Sequence, residues 1–239
     1  MLEKIEKFQL ILTGIVVTFA ILISVKIISS SISQDVITTT GSAYEIVKSD
    51  SGTINFEISV KAPNKQLAHK IMQGQISEVK KYLASKKLND VEIKTTNGFY
   101  TYKRDAKGMD TGVVDFYNMH QPMSVRSNDV QLVKEISTDI ASLINQGIDI
   151  NVWDVNYQYS KIGDLKVKLL EKAATDAKNR AISMLKPTGS SVGKVKSVRM
   201  GVYQITSVDS TDVSDGGIND TSSIDKKVTA VANVAFKIK

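Results

Sequence analysis

The sequence predicts an α+β protein: two β-α-β-like halves, about three long helices packed on mainly antiparallel sheet, and one transmembrane helix ahead of them. Three observations carry this expectation. Apolar and polar residues alternate over several short runs, as in half-buried strands. Apolar residues recur at helical spacing over three longer runs. Residues 8–28 are mainly apolar, and uncharged up to Lys26.

Phe8 to Val25 is uncharged over 18 residues. As a helix it spans about 27 Å, near the hydrocarbon thickness of a bilayer. Lys4 and Lys7 precede it, which favours the N-terminus inside and the rest outside. The expected order is therefore a cytoplasmic segment 1–7, a membrane anchor 8–28, a polar stalk 29–40 and a domain 41–239 placed outside the cytoplasm. A cleaved signal peptide is the alternative, with Ser29 and Ser31 as small residues, and it would leave a secreted domain.

Thr53 to Lys61 alternates, with Ile54, Phe56, Ile58 and Val60 on one face. Pro63 and Asn64 then open a helix with Leu67, Ile71, Gln75 or Ile76, Val79 and Leu83 inward. Val91 to Thr95 resumes the alternation. Phe116 to Arg126 reads as a strand in which Pro122 points to an edge or a bulge. Asp129 to Gln146 is a second helix, ended by Gly147. Ile150 to Tyr159 is a strand with Trp153, Val155, Tyr157 and Tyr159 on one face. Ser59-Val60-Lys61 and Ser124-Val125-Arg126 each sit on a strand that leads into a helix and a returning strand, a weak internal repeat.

The third helix is the most informative. Asp164 is its expected cap and Pro187 and Gly189 stop it. Leu165, Leu169, Ala173, Ala177 and Ala181 share one face at four-residue spacing. Large residues followed by alanines predict a close approach to a sheet at the far end. Val192 to Val202 and Val228 to Ile238 alternate as strands. The acidic stretch between them is read as a mobile loop over 207–224.

The chain has no cysteine, so a thiol nucleophile and a cysteine zinc site are excluded. Its two histidines, His69 and His120, are too few for a three-histidine metal site. Neither has an adjacent acidic residue that would form a relay. Asp209, Asp212, Asp215 and Asp220 lack the spacing of a calcium loop. No phosphate loop, nucleotide fingerprint or nucleophile elbow occurs. No cofactor is expected, and catalysis is not.

Several stretches resemble one family. They are Thr40-Gly41-Ser42-Ala43, Asp50 ahead of Ile54 to Val60, VEIKTTNGFYTY over Val91 to Tyr102, and Tyr117 to Val125. AATDAKNRA from Ala173, with Gly189, Gly193 and Val195, follows, and VTAVANVAFKIK closes the chain. Together they resemble the SIMPL-domain family of bacterial envelope proteins over roughly residues 36–239. The resemblance implies no established enzymatic activity, a secreted or anchored location, and assembly of some members into large homo-oligomers.

The expected function is a membrane-tethered, non-catalytic envelope module that self-assembles or binds another envelope component. Two binding alternatives stand beside it: a small-molecule or ion-binding protein, and a salt-sensitive binder of anionic lipid or envelope polymer. Net charge is +6, and Lys161 to Arg199 holds ten basic and three acidic residues. The candidate interaction residues are Lys168, Lys172, Lys178 and Arg180 on the third helix, with the aromatics Phe99, Tyr100 and Tyr102. The expected partners are the membrane through residues 8–28, a second copy of the chain, and an envelope protein or polymer. Nucleic acid is not expected, because the orientation places the domain outside the cytoplasm. An unrecognised hydrolase would instead need paired carboxylates in a pocket.

Overall fold

The computed structural model describes residues 2–32 and 35–239, with the side chains of the first helix described over 13–28. Residues 2–32 form α1 (Leu2–Ile32). Among the described residues no helix is long and apolar enough to cross a membrane. The expected transmembrane helix over 8–28, and the membrane-anchored location it carried, are corrected on that finding. Phe8 to Leu12 lie outside the described side chains, and the described part of that span, 13–28, carries the charge of Lys26 and the polar Thr13, Thr18 and Ser24 among its apolar residues. Met1 of the expected cytoplasmic segment and Ser33 and Gln34 of the expected stalk lie outside the described residues. Val36 to Thr40, also assigned to the stalk, belong to the first strand.

Two five-stranded antiparallel-based sheets follow. The first is built around β2 (Ser51–Ala62), where Ile54, Phe56, Ile58 and Val60 are buried as the alternation predicts. In this sheet β5 (Asp110–Ser127) and β6 (Asp149–Gln158) flank β2, while β3 (Val91–Ile93) and β4 (Asn97–Arg104) pair with the far edge of β5. Both repeat units share this one sheet: β2 leads through α2 (Lys65–Ser85) toward β5, and β5 through α3 (Val130–Asp139) to β6. The two repeat units thus share one sheet, and a second sheet stands beside it. The second sheet is made from the two ends of the domain. Its long pair is β1 (Val36–Lys48) and β10 (Asp225–Ile238), in register from Val36 opposite Lys237 to Lys48 opposite Asp225. The other edge of β10 is shared by β7 (Val192–Met200) and β8 (Gln204–Ser207), and the short β9 (Ile218–Asn219) runs parallel to β8.

The described residues hold four α-helices, not about three with a transmembrane one before them. Asn64 caps α2 by accepting from the Leu67 N–H at 2.9 Å. The buried stripe of α2 is Ala68, Met72, Ile76, Val79 and Leu83, while Leu67 and Ile71 are exposed. Two overlapping apolar stripes exist in that run, and the helix turns the smaller start, Ala68, to the sheet. Asp129 caps α3, which tightens into a 3-10 turn over Ile140–Gln146 and ends at Gly147 with φ 80°. The third predicted helix is α4 (Ile162–Leu185). Its predicted face is the buried one: Leu165, Leu169, Ala173, Ala177 and Ala181 lie over β1 and β10. Asp164 falls in its first turn rather than at the cap.

The two sheets are tied at the β1–β2 turn. The Ser160 N–H and hydroxyl both donate to the Asp50 carboxylate, the hydroxyl at 2.6 Å. Those bonds hold the Asp50 carboxyl below its ordinary range.

Pro122 sits in β5, a central strand, and not at an edge. A proline there removes one ladder donor. The Lys94 N–H donates to the Pro122 carbonyl at 3.0 Å, so the missing donor at 122 faces Lys94. The buried Gln121 side chain takes its place: its Nε2 donates to the Lys94 carbonyl at 2.6 Å, and its Oε1 accepts from Thr96 Oγ1. The gap between β3 and β4 falls at this point. Gln121 is 2% exposed, so Gln121→Leu would remove both the bond to the Lys94 carbonyl and the bond from Thr96. The expected loss is about 1–3 kcal/mol in a urea melt. A variant as stable as the parent would show that the side-chain bridge contributes nothing.

Candidate functional site

The structure separates the residues expected to form one interaction surface. Phe99, Tyr100 and Tyr102 are on β4 of the first sheet, and the four cations are on α4 over the second. Lys168 and Lys172 both pair with Glu45 of β1, at 3.0 and 3.1 Å. Arg180 pairs with Asp176 at 2.8 Å, and the same Asp176 oxygen accepts the outward Ser42 N–H of β1. These bonds hold the carboxyls of Glu45 and Asp176 below the usual range. This side of α4 therefore seals the free edge of β1 with charge, and of the four cations Lys178 alone has no ion-pair partner among the described residues. Of the aromatics, Phe99 stacks on His120 with centroids 5.7 Å apart, and Tyr100 meets Tyr117 edge-on at 4.8 Å.

His120 has an acidic partner that its sequence neighbours do not reveal. On the polar face of the first sheet, Glu57 Oε1 lies 2.9 Å and Ser59 Oγ 3.1 Å from His120 Nδ1. A serine relay needs the acid on one ring nitrogen and the hydroxyl on the other. Here both share Nδ1, so the cluster lacks the geometry to activate Ser59. Among the described residues no three histidine or carboxylate groups converge closely enough to hold a metal ion.

An exposed apolar stripe lies on β7. Met200, Val198 and Val195 stand opposite Ala232, Val234 and Phe236 of β10, whose side chains are buried under α4. Residues opposite one another across strands share a face, so the β7 stripe continues the apolar face of the second sheet beyond the helix. Val195, Val198 and Met200 are 54%, 55% and 58% exposed. Ile182 on α4 is exposed as well. Among the described residues the outer edge of β7 pairs with no other strand. The alternation within Val192 to Val202 shows a strand but carries no sign that its apolar face stays uncovered.

A family model described as SIMPL, protein of unknown function (DUF541), matches residues 37–236. The chain belongs to the SIMPL family. The match runs from the start of β1 into the end of β10, so the SIMPL domain takes in both sheets and leaves α1 outside. No curated protein matches the chain.

The acidic stretch of the SIMPL domain is tied down at several points. Gln204 Nε2 donates to the Ser214 carbonyl at 2.7 Å, and the Lys227 ammonium donates to that of Ser210 at 2.5 Å. Asp220 Oδ1 accepts from the Ser222 N–H and hydroxyl and from the Ser223 N–H. Burial works against the Asp220 charge, but the bonds from Ser223 and Ser222 and the nearby Lys226 outweigh it and hold the carboxyl at about 2. A depressed carboxyl contributes stability above its unfolded value and loses it as pH falls through the folded one. The window therefore runs from about pH 4 down to about pH 2. In that window the unfolding free energy should fall faster with acid in the parent than in Asp220→Asn, by on the order of 1 kcal/mol after solvent screening. Parallel acid limbs would show that the carboxylate does not anchor the loop.

Proposed function

We propose that the SIMPL domain is a non-catalytic module that self-associates through β7. The observation that carries this reading is the bare stripe of Val195, Val198 and Met200 on a strand whose outer edge is free. Natural proteins blunt such edges, as this chain does at β1 with Asp176. An apolar face left open beside an open edge reads as an interface. The non-catalytic part is supported by the His120 cluster, whose two partners crowd one nitrogen. A salt-sensitive surface on α4 has less support, because Lys168, Lys172 and Arg180 already hold carboxylates. Action in the cell envelope rests on the resemblance of the stretches quoted above to envelope proteins.

Native mass spectrometry of the full chain should show a defined multimer at micromolar concentration. Val198→Lys places a charge in the middle of the stripe. It should weaken association at least tenfold, since burying a valine gives about 1.5 kcal/mol or more and 1.4 kcal/mol is a factor of ten. The monomer fold should change little in stability, as for other exposed positions. A monomeric parent, or a multimer that Val198→Lys leaves intact, would contradict the reading. A multimer that forms only with an added envelope protein or polymer would replace the second copy by that partner.

A further inference from the structure

We infer that the cavity between the two sheets is a binding site for a small organic carboxylate with an apolar body. It stands apart from the β7 surface and goes beyond the self-association reading. The cavity has a volume of 220 Å³. Its apolar walls come from Tyr157 at the end of β6, Tyr159, Ile162 at the start of α4, and Ile205 of β8. At about 30 Å³ per water it holds roughly seven waters. That is below the roughly 300–1,000 Å³ of sites for drug-sized ligands, and it suits a molecule of benzoate size.

Two donors line this cavity, and neither is fully used. Lys226 is 3% exposed, on the β10 face that also carries Val228 and Ala230. Its ammonium makes one hydrogen bond, to the Asp220 backbone carbonyl at 2.6 Å. An ammonium has three donors, so two remain unspent among the described residues. The Asp220 carboxylate does not take them. Its Oδ1 is occupied by Ser222 and Ser223, and its buried Oδ2 has no hydrogen-bond partner. Tyr157 is 6% exposed as a residue, and its hydroxyl, which reaches solvent, makes no hydrogen bond to the described residues. A buried ammonium short of partners is costly, and a carboxylate oxygen is the acceptor that matches it best. Burial lowers the Lys226 pKa against the opposing pull of Asp220, and a bound carboxylate would reverse that shift. Tyr157 also lines a wider cleft of 530 Å³ on the α3 side.

The test titrates the full chain with benzoate and with benzyl alcohol, its neutral analogue of similar shape, followed by amide NMR shifts. Benzoate should saturate, move the amides of Tyr157, Asn219, Thr221 and Lys226, and bind at least tenfold tighter than benzyl alcohol. Lys226→Met should lose at least tenfold in benzoate affinity, at some cost in Tm because Asp220 then loses its neighbouring positive charge. Tyr157→Phe removes only the hydroxyl and should bind benzoate at least threefold more weakly, so the inference stays testable even if Lys226→Met does not fold. Equal binding of the two probes, unchanged benzoate affinity in both variants, or no saturation by about 10 mM would each overturn it.

Discussion

Gly41 has no side chain, and α4 rests on it. A Cβ at this position would fall inside contact distance of the Ala173 carbonyl oxygen and the Ala177 N–H. The approach is backbone to backbone, which explains why the helix face narrows from Leu165 and Leu169 to Ala173, Ala177 and Ala181. It also explains the bond from Thr39 Oγ1 to the Ala177 carbonyl at 2.8 Å, which only so short a separation permits. A helix held this low over β1 and β10 reaches Val192 of β7 but leaves Val195, Val198 and Met200 exposed. The bare stripe of Val195, Val198 and Met200 follows from the contact at Gly41.

The same contact decides the fate of the charges on α4. With the helix axis over β1, Lys168, Lys172, Asp176 and Arg180 fall beside the outer edge of that strand. There they meet Glu45 and the Ser42 N–H. One edge of the second sheet is closed by polar bonds, while the opposite edge stays open and apolar. This asymmetry leaves the second sheet one edge on which to add a neighbour. The first sheet solves a different problem inside itself, where the Gln121 amide stands in for the donor that Pro122 lacks. Its polar face holds Glu57, Ser59 and His120 in an arrangement that is satisfied rather than reactive.

Much of this fold is legible in the sequence, and the failures have physical causes. The face of α4 could be read because one apolar stripe dominates it. In α2 two stripes compete, and only the tertiary partner selects Ala68 and Met72 over Leu67 and Ile71. In β6 a bulge beside Trp153 resets the alternation, so that Val152 stands opposite Phe56 of β2 on the core side and not with Asp154. A bulge leaves no residue signature. Pro122 reads as an edge residue because the rescue comes from the side chain of its neighbour. The site residues were less visible. The pairing of His120 with Glu57 needs the strand register, and the lone signal for Lys226 was a lysine in phase with Val228 and Ala230. Which strand a helix leaves bare is a property of packing and not of local pattern.

Hydrogen exchange read by mass spectrometry, at concentrations above and below the association midpoint, tests the link between α4, its bare neighbour β7 and self-association. Amides of β1 and β10 should exchange slowly at both concentrations, because they open only with the domain. Amides of β7 at residues 192–200 should exchange quickly in the dilute monomer and slowly in the multimer. If β7 exchanges at the same rate in both while protection appears elsewhere, the open edge is not the interface and the account is wrong.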